Sequence, residues 1–107
     1  MEILKNEGGY LKYTLIEGDY EVPTRIILHH IWVDKDKRMK GYGSDLLNKL
    51  NEIAKEKGIQ TIFINVTDHN KEFKSFLNQN FYAKHPNKEL WWIRPIDYAH
   101  LPKYDTE

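Results

Sequence analysis

The chain has 107 residues, 40% hydrophobic and 30% charged, with 16 basic side chains balancing 16 acidic ones. Such a composition describes one soluble globular domain with a single core, and its neutral balance gives no global field to recruit nucleic acid or an anionic membrane. There is no cysteine, which excludes disulfides, thiolate metal sites and cysteine nucleophiles together.

The opening MEILKNEGGY carries no signal-peptide apolar region, and no apolar run approaches the ~18 residues of a membrane span, so the chain reads as cytoplasmic. Residues 9–18, GYLKYTLIEG, alternate as a strand between turn residues. Residues 25–33, RIILHHIWV, are β-branched and aromatic and predict a largely buried strand. The following DKDKRMKGYG is too polar and glycine-rich to continue it. From Ser44, the apolar positions Leu46, Leu47, Leu50, Ile53 and Ala54 share one helix face, closed by Lys55, Lys57 and Gly58. Residues 59–66, IQTIFINV, predict a second buried strand. DHNKEFKSFLNQN predicts a short helix capped by Asp68 or Asn70, with Phe73, Phe76 and Leu77 inward and Asn80 closing it in the left-handed conformation. FYAKHPNKELWWIRPI predicts two strands joined at Pro86-Asn87, with Trp91 and Trp92 on opposite faces. Residues 97–107 read as an irregular tail of a single domain, 1–107.

The order strand, strand, helix, strand, helix, strand, strand gives an α/β fold with a mixed sheet. Its second helix-linked strand, 59–66, runs parallel to 25–33 through a helical crossover. The five histidines lack metal-ligand spacing, so no metal is expected. Trp91 and Trp92 interleave with Lys84, Lys88 and Arg94, but the neutral charge and the absence of an RNA-binding motif argue against nucleic acid.

The stretch RMKGYGSDLL, residues 38–47, carries the chemistry. It lacks the Gly-Lys-Ser/Thr ending of a Walker loop, and Leu46 stands where a dinucleotide fingerprint needs a third glycine. What remains is a basic loop of pattern Arg-x-x-Gly-x-Gly at a helix start, either a simple turn or an anion seat. Helix-start amides point outward unsatisfied, the helix dipole adds positive charge, and Arg38 and Lys40 add more.

Residues 31–47, IWVDKDKRMKGYGSDLL, resemble the acetyl-CoA signature of the GNAT acetyltransferase superfamily. Ile31-Trp32-Val33 fills the family's strand-ending triplet, Arg38 follows Val33 by five residues, and Gly41 and Gly43 match its glycines. The resemblance extends over about residues 25–96 and implies a mixed central sheet whose two parallel strands splay apart to admit the cofactor. It implies acetyl-CoA, with the pyrophosphate on Arg38, Met39, Lys40, Gly41, Tyr42, Gly43 and Ser44, mainly through backbone groups. The pantetheine arm falls along Ile31, Trp32 and Val33. Asn70 is the nearest match to a family asparagine that also holds this arm, although His69 stands at that spot.

The implied reaction is acetyl transfer to an amine, with His29 as general base, where the arylalkylamine branch of the family carries a histidine. His30 is the lesser candidate, and the alternation of a regular strand sends the two rings to opposite faces. Two departures matter. The family's acid tyrosine falls on Phe76, which has no proton to give, leaving water, Ser75 or Tyr82 to assist the thiolate. The family's two N-terminal helices have no counterpart in the 24 residues before Arg25, so the helical lid is expected to be missing and the acceptor side open. An open cleft suits a protein or peptide lysine, unless a homodimer covers it. The layout is similar to the smallest family members, including phage-borne anti-CRISPR acetyltransferases. The alternative is a degenerate domain that binds acetyl-CoA with little catalysis and acts as a partner-binding module.

Overall fold

The computed structural model describes residues 1–66, 71–88 and 90–96. Six strands form one mixed sheet in the order β1-β2-β3-β4-β6-β5. They are β1 (Glu2–Lys5), β2 (Gly9–Ile16), β3 (Arg25–Val33), β4 (Thr61–Asn65), β5 (Ala83–Lys84) and β6 (Trp91–Pro95). Two helices, α1 (Tyr42–Glu56) and α2 (Lys71–Gln79), complete the α/β fold. Only β3 and β4 run parallel, joined through α1 as the crossover order predicts. β1 was not anticipated; it is four residues long with mostly exposed side chains, too short to show alternation.

Leu46, Leu47, Leu50 and Ala54 of α1 and Leu77 of α2 join one buried cluster with Leu11, Ile26, Leu28, Ile62 and Ile64 of the sheet. Both helices therefore pack on the same sheet face. The opposite face presents half-buried Tyr10, Thr14, Ile27, Phe63, Trp91 and Ile93, and no described helix covers it. Trp92 packs against the core while Trp91 meets Phe63 edge-on at 6.4 Å, so the two indoles do take opposite faces. No described helix is long and apolar enough to cross a membrane.

The helix ends follow local rules with one correction. Gly58, at φ +70°, closes α1, with Ile59 N–H reaching Ala54 O at 2.8 Å. At α2 the left-handed residue is Phe81 at φ +70°, not Asn80. Tyr82 N–H bonds to Leu77 O and Phe81 N–H to Asn78 O, the paired bonds that define a left-handed helix stop. Burial of Tyr82 against Leu77 fixes which residue takes the strained position, and Asn80 turns its amide back to Phe76 O at 2.9 Å instead. The predicted caps Asp68 and Asn70 and the tail 97–107 lie outside the described residues.

One irregularity shapes the middle of the sheet. Lys12 pairs with His30 but Tyr13 pairs with Leu28, so His29 is an extra residue in β3. This bulge changes which positions face the helices: Ile26 and Leu28 before it, then Ile31 and Val33 after it.

Candidate functional site

The glycine loop runs from β3 through a short 3-10 turn, Lys35–Lys37, into α1. The helix begins at Tyr42, two residues before the predicted start, with Gly41 as its N-cap at φ +87°. A Cβ at Gly41 would meet nothing within 4 Å, so this glycine answers to backbone conformation and leaves open space in front of the helix. The first intrahelical bond is Asp45 N–H to Gly41 O at 2.9 Å. The amides of Tyr42, Gly43 and Ser44 lie in the turn that has no intrahelical partner, and no side chain caps it. Arg38, Met39 and Lys40 are exposed beside that turn, with Met39 at φ +65°. Arg38 stacks its guanidinium 4.8 Å from the Trp32 ring and donates from Nε to Val33 O at 3.0 Å.

Gly43 is glycine for a different reason. It is buried, and a Cβ there would come 2.9 Å from Cζ of Phe76 and 3.4 Å from Val33 Cγ2. The ring tip of Phe76 thus seats α2 against the first turn of α1.

Next to this loop the parallel ladder stops. β3 pairs with β4 only from Ile26 to Leu28, opposite Ile62 to Ile64. Residues 29–33 continue along β2 with no strand partner on the β4 side among the described residues. Asp34 N–H bonds to Gly8 O at 2.7 Å, so antiparallel alternation turns Trp32 toward β2 as well and the backbone groups of Ile31 and Val33 toward the gap. The Val33 carbonyl is engaged by Arg38; the Ile31 groups line the gap.

The fold has many counterparts among solved structures. A family model described as the acetyltransferase (GNAT) family matches residues 8–85, well over half of the sequence. This chain belongs to the GNAT family. The fold of this GNAT chain is similar to a PaiA N-acetyltransferase from Thermoplasma acidophilum solved with coenzyme A, at TM-score 0.67, 19% identity, and 82% of this chain covered by 53% of that one. It is also similar to Ard1 from Thermoplasma volcanium, at TM-score 0.68, 18% identity, and 84% and 64% covered. An aminoglycoside acetyltransferase from an uncultured soil metagenomic sample, solved with sisomicin, matches at TM-score 0.62 and 20% identity, with 77% and 52% covered. The chain therefore spans between 52% and 64% of the length of these structures. No curated protein sequence matches it.

The GNAT chain's histidines sit where the gap opens. His29 is at once the bulged residue against β2 and the first β3 residue beyond the β4 pairing. Its Nε2 lies 2.8 Å from Thr14 Oγ1. The His30 ring lies 5.8 Å from that of Tyr10. Tyr10, Lys12 and Thr14 alternate on one face of β2, so both imidazoles lie on the face without helices. The bulge is the reason: its two adjacent residues share a face, where a regular strand would separate them. Asn70 lies outside the described residues.

On the acid side, Tyr82 is 1% exposed and its hydroxyl has no hydrogen-bond partner among the described residues. Burial pushes its pKa well above the ordinary tyrosine value, against a smaller opposing effect of Arg94. A side chain this deep in the core does not serve an open cleft. Ser75, on α2, is exposed.

Asn6 is a supporting residue that sequence reasoning passed over. Its Oδ1 accepts from Gly8 and Gly9 N–H, tightening the β1–β2 turn. Its Nδ2 donates at 3.0 Å to Tyr42 O and at 3.0 Å to Asp45 Oδ2. The bond from Asn6, with help from Lys49, holds the Asp45 carboxyl below the usual carboxylate range. Lys37 Nζ donates to Glu7 O at 2.7 Å, and the Tyr42 ring lies over Gly8. The first hairpin thereby clasps both ends of the glycine loop. An asparagine two residues before a Gly-Gly pair is a turn signal; nothing in the sequence says that the turn meets α1.

Proposed function

We propose that this GNAT chain binds acetyl-CoA and moves its acetyl group to an amine, with a lysine of a protein or peptide as acceptor. The observation that carries the reading is the coincidence of two vacancies. The β3–β4 ladder ends after Leu28–Ile64, and the uncapped first turn of α1 stands at the loop that follows the same strand. The first vacancy suits a chain with amide groups, and the second suits a diphosphate. When bound, acetyl-CoA supplies a thioester carbonyl for an amine to attack.

The residues here divide the work. First-turn amides of Tyr42, Gly43 and Ser44, with Arg38, Lys40 and the space at Gly41, hold the diphosphate. Ile31 pairs with the amide-bearing arm, and Arg38 leaves the Val33 carbonyl so that it joins in. An alkylamine with pKa near 10.4 is mostly protonated at neutral pH, and freeing its lone pair costs about 4–5 kcal/mol. His29 accepts that proton. Holding the amine against the thioester contributes about 7–11 kcal/mol more. The helix-free face beside His29 leaves room for a macromolecular acceptor, which supplies its own walls. The aminoglycoside acetyltransferase among the similar folds makes a small amine the competing acceptor. A homodimer across the same face would enclose the site, and sedimentation velocity with and without acetyl-CoA reads that out.

Thermal unfolding with acetyl-CoA is the first test. Ligand at a hundred times its Kd adds about 2.7 kcal/mol of stability, so no shift at millimolar ligand removes the reading. Intact-mass measurement of candidate proteins after incubation then identifies the acceptor, and His29→Ala is expected to abolish transfer while keeping the thermal shift. A second reading, binding without turnover, rests on Phe76 in the place of the acid tyrosine. A full thermal shift with no acetylated product from any protein, peptide or small amine would favour it.

A further inference from the structure

We infer that Thr14 is a positioning residue for the general base, fixing the His29 ring in the tautomer that leaves Nδ1 free to take a proton. This rests on the assignment of His29 as base, and its test separates the two.

A bulged residue lacks the paired neighbours that hold an ordinary strand side chain in register. His29 has lost its β2 pairing to the bulge and its β4 pairing to the gap, and it is exposed. Unassisted, such a ring samples several rotamers and both neutral tautomers. The contact between Thr14 Oγ1 and His29 Nε2 at 2.8 Å is the tether. Thr14 lies on β2 and pairs with Ile27 of β3, one residue beyond Tyr13, where the β1 ladder ends, so the sheet places its hydroxyl.

The hydroxyl both donates and accepts, and only one choice is productive. If Oγ1 donates, the Nε2 lone pair is occupied by that hydrogen bond and Nδ1 carries the hydrogen, so no free lone pair is left for the substrate. If Nε2–H donates to Oγ1, the Nδ1 lone pair is free, and Nδ1 has no hydrogen-bond partner among the described residues. Nδ1 then takes the proton from the substrate ammonium. The electron pair of the broken N–H bond stays on the amine nitrogen, and the proton passes from the exposed ring to water. The Nε2–H bond to Thr14 persists throughout, so the tether holds in both charge states. The titratable and charged groups on this face are Lys5 of β1, Tyr10 and Lys12 of β2, and Arg25 and His30 of β3; β4 presents Thr61, Phe63 and Asn65 and β6 presents Trp91 and Ile93, none of which titrates.

Ring nitrogen NMR on the ¹⁵N-labelled protein in alkaline solution tests the tautomer without needing an acceptor. The wild-type ring is expected to carry its proton on Nε2 and Thr14→Val to show a mixture. A proton on Nδ1 in the wild type overturns the inference. The kinetic arm uses acetyl-CoA with a lysine-rich peptide. Thr14→Val, which keeps the β-branched shape, is expected to lower kcat roughly three- to tenfold, the scale of one hydrogen bond. Its KM for acetyl-CoA should stay within about twofold. Thr14→Ser should restore kcat and the single tautomer. A single tautomer with unchanged kcat in Thr14→Val, while His29→Ala is inactive, removes Thr14 and leaves the base in place. Full activity in His29→Ala removes both.

Discussion

Gly41 and Gly43 stand two residues apart and exclude side chains for unrelated reasons, one by backbone conformation and one by the ring of Phe76. Gly43→Ala is therefore expected to lower stability in the wild type. In a Phe76→Ala background the same change should raise it by up to ~1 kcal/mol, since alanine is the better helix former. Urea unfolding of the four proteins reads this sign reversal directly. Tyr82 makes the opposite kind of prediction. Its hydroxyl is buried without a partner among the described residues, a cost of about 1–3 kcal/mol, so Tyr82→Phe should stabilise the protein and raise Tm by several degrees. The phenol's folded pKa is raised above its unfolded value of 10.0, so its contribution is fully present below pH 10 and lost as pH rises through the folded value. Tyr82→Phe should flatten that alkaline decline. At this scale the sequence carried the loop glycines and the odd Phe76, because spacing alone marks them. Thr14, Asn6 and the orphaned hydroxyl were invisible, since each depends on contacts between residues 15 to 39 positions apart or on burial.

Elements were more legible than their junctions. The strand 25–33 and the stop at Gly58 follow from β-branching and end signals, and the structure places both there. Periodicity did not reveal the bulge, because a single extra residue looks like ordinary noise in an apolar run. Yet that residue decides where both histidines point. The left-handed residue of α2 moved from Asn80 to Phe81 because Tyr82 had to reach the core, a tertiary demand that outranks local preference. The clasp of the first hairpin on α1 is the junction most open to test. Asn6→Ala removes two donated and two accepted bonds and is expected to lower Tm and weaken acetyl-CoA binding severalfold, read by calorimetry. Asp45 has a folded pKa below its unfolded value of 3.8, so its contribution is present above that pH and lost as pH falls through the folded value. In Asn6→Ala the acid decline of stability should be shallower.

For the whole molecule, the two faces of the sheet have different duties. One is sealed by α1 and α2 around a single core, while the other bears Ile27, Phe63, Trp91, Ile93, His29 and His30 with no described helix over them. Phe63→Lys should leave the core and the acetyl-CoA thermal shift intact while lowering transfer to a protein acceptor at least about tenfold. Equal loss of cofactor binding would show that this face is not a separate acceptor surface. The overall layout was readable from the order of elements. What the face receives is a matter of surface shape, which no spacing encodes.

An interrupted ladder inside a sheet is also a colloidal hazard. Among the described residues the backbone of Ile31 has no strand partner on the β4 side, with exposed Trp32 at the rim, and a free strand edge is a template for another chain. A ligand lying along that edge would act as a plug as well as a reactant. On the proposed function, light scattering of a concentrated solution on mild heating should rise more slowly with acetyl-CoA present, beyond the delay that the shift in Tm alone accounts for. The protein would then be most prone to self-association when its substrate is scarce.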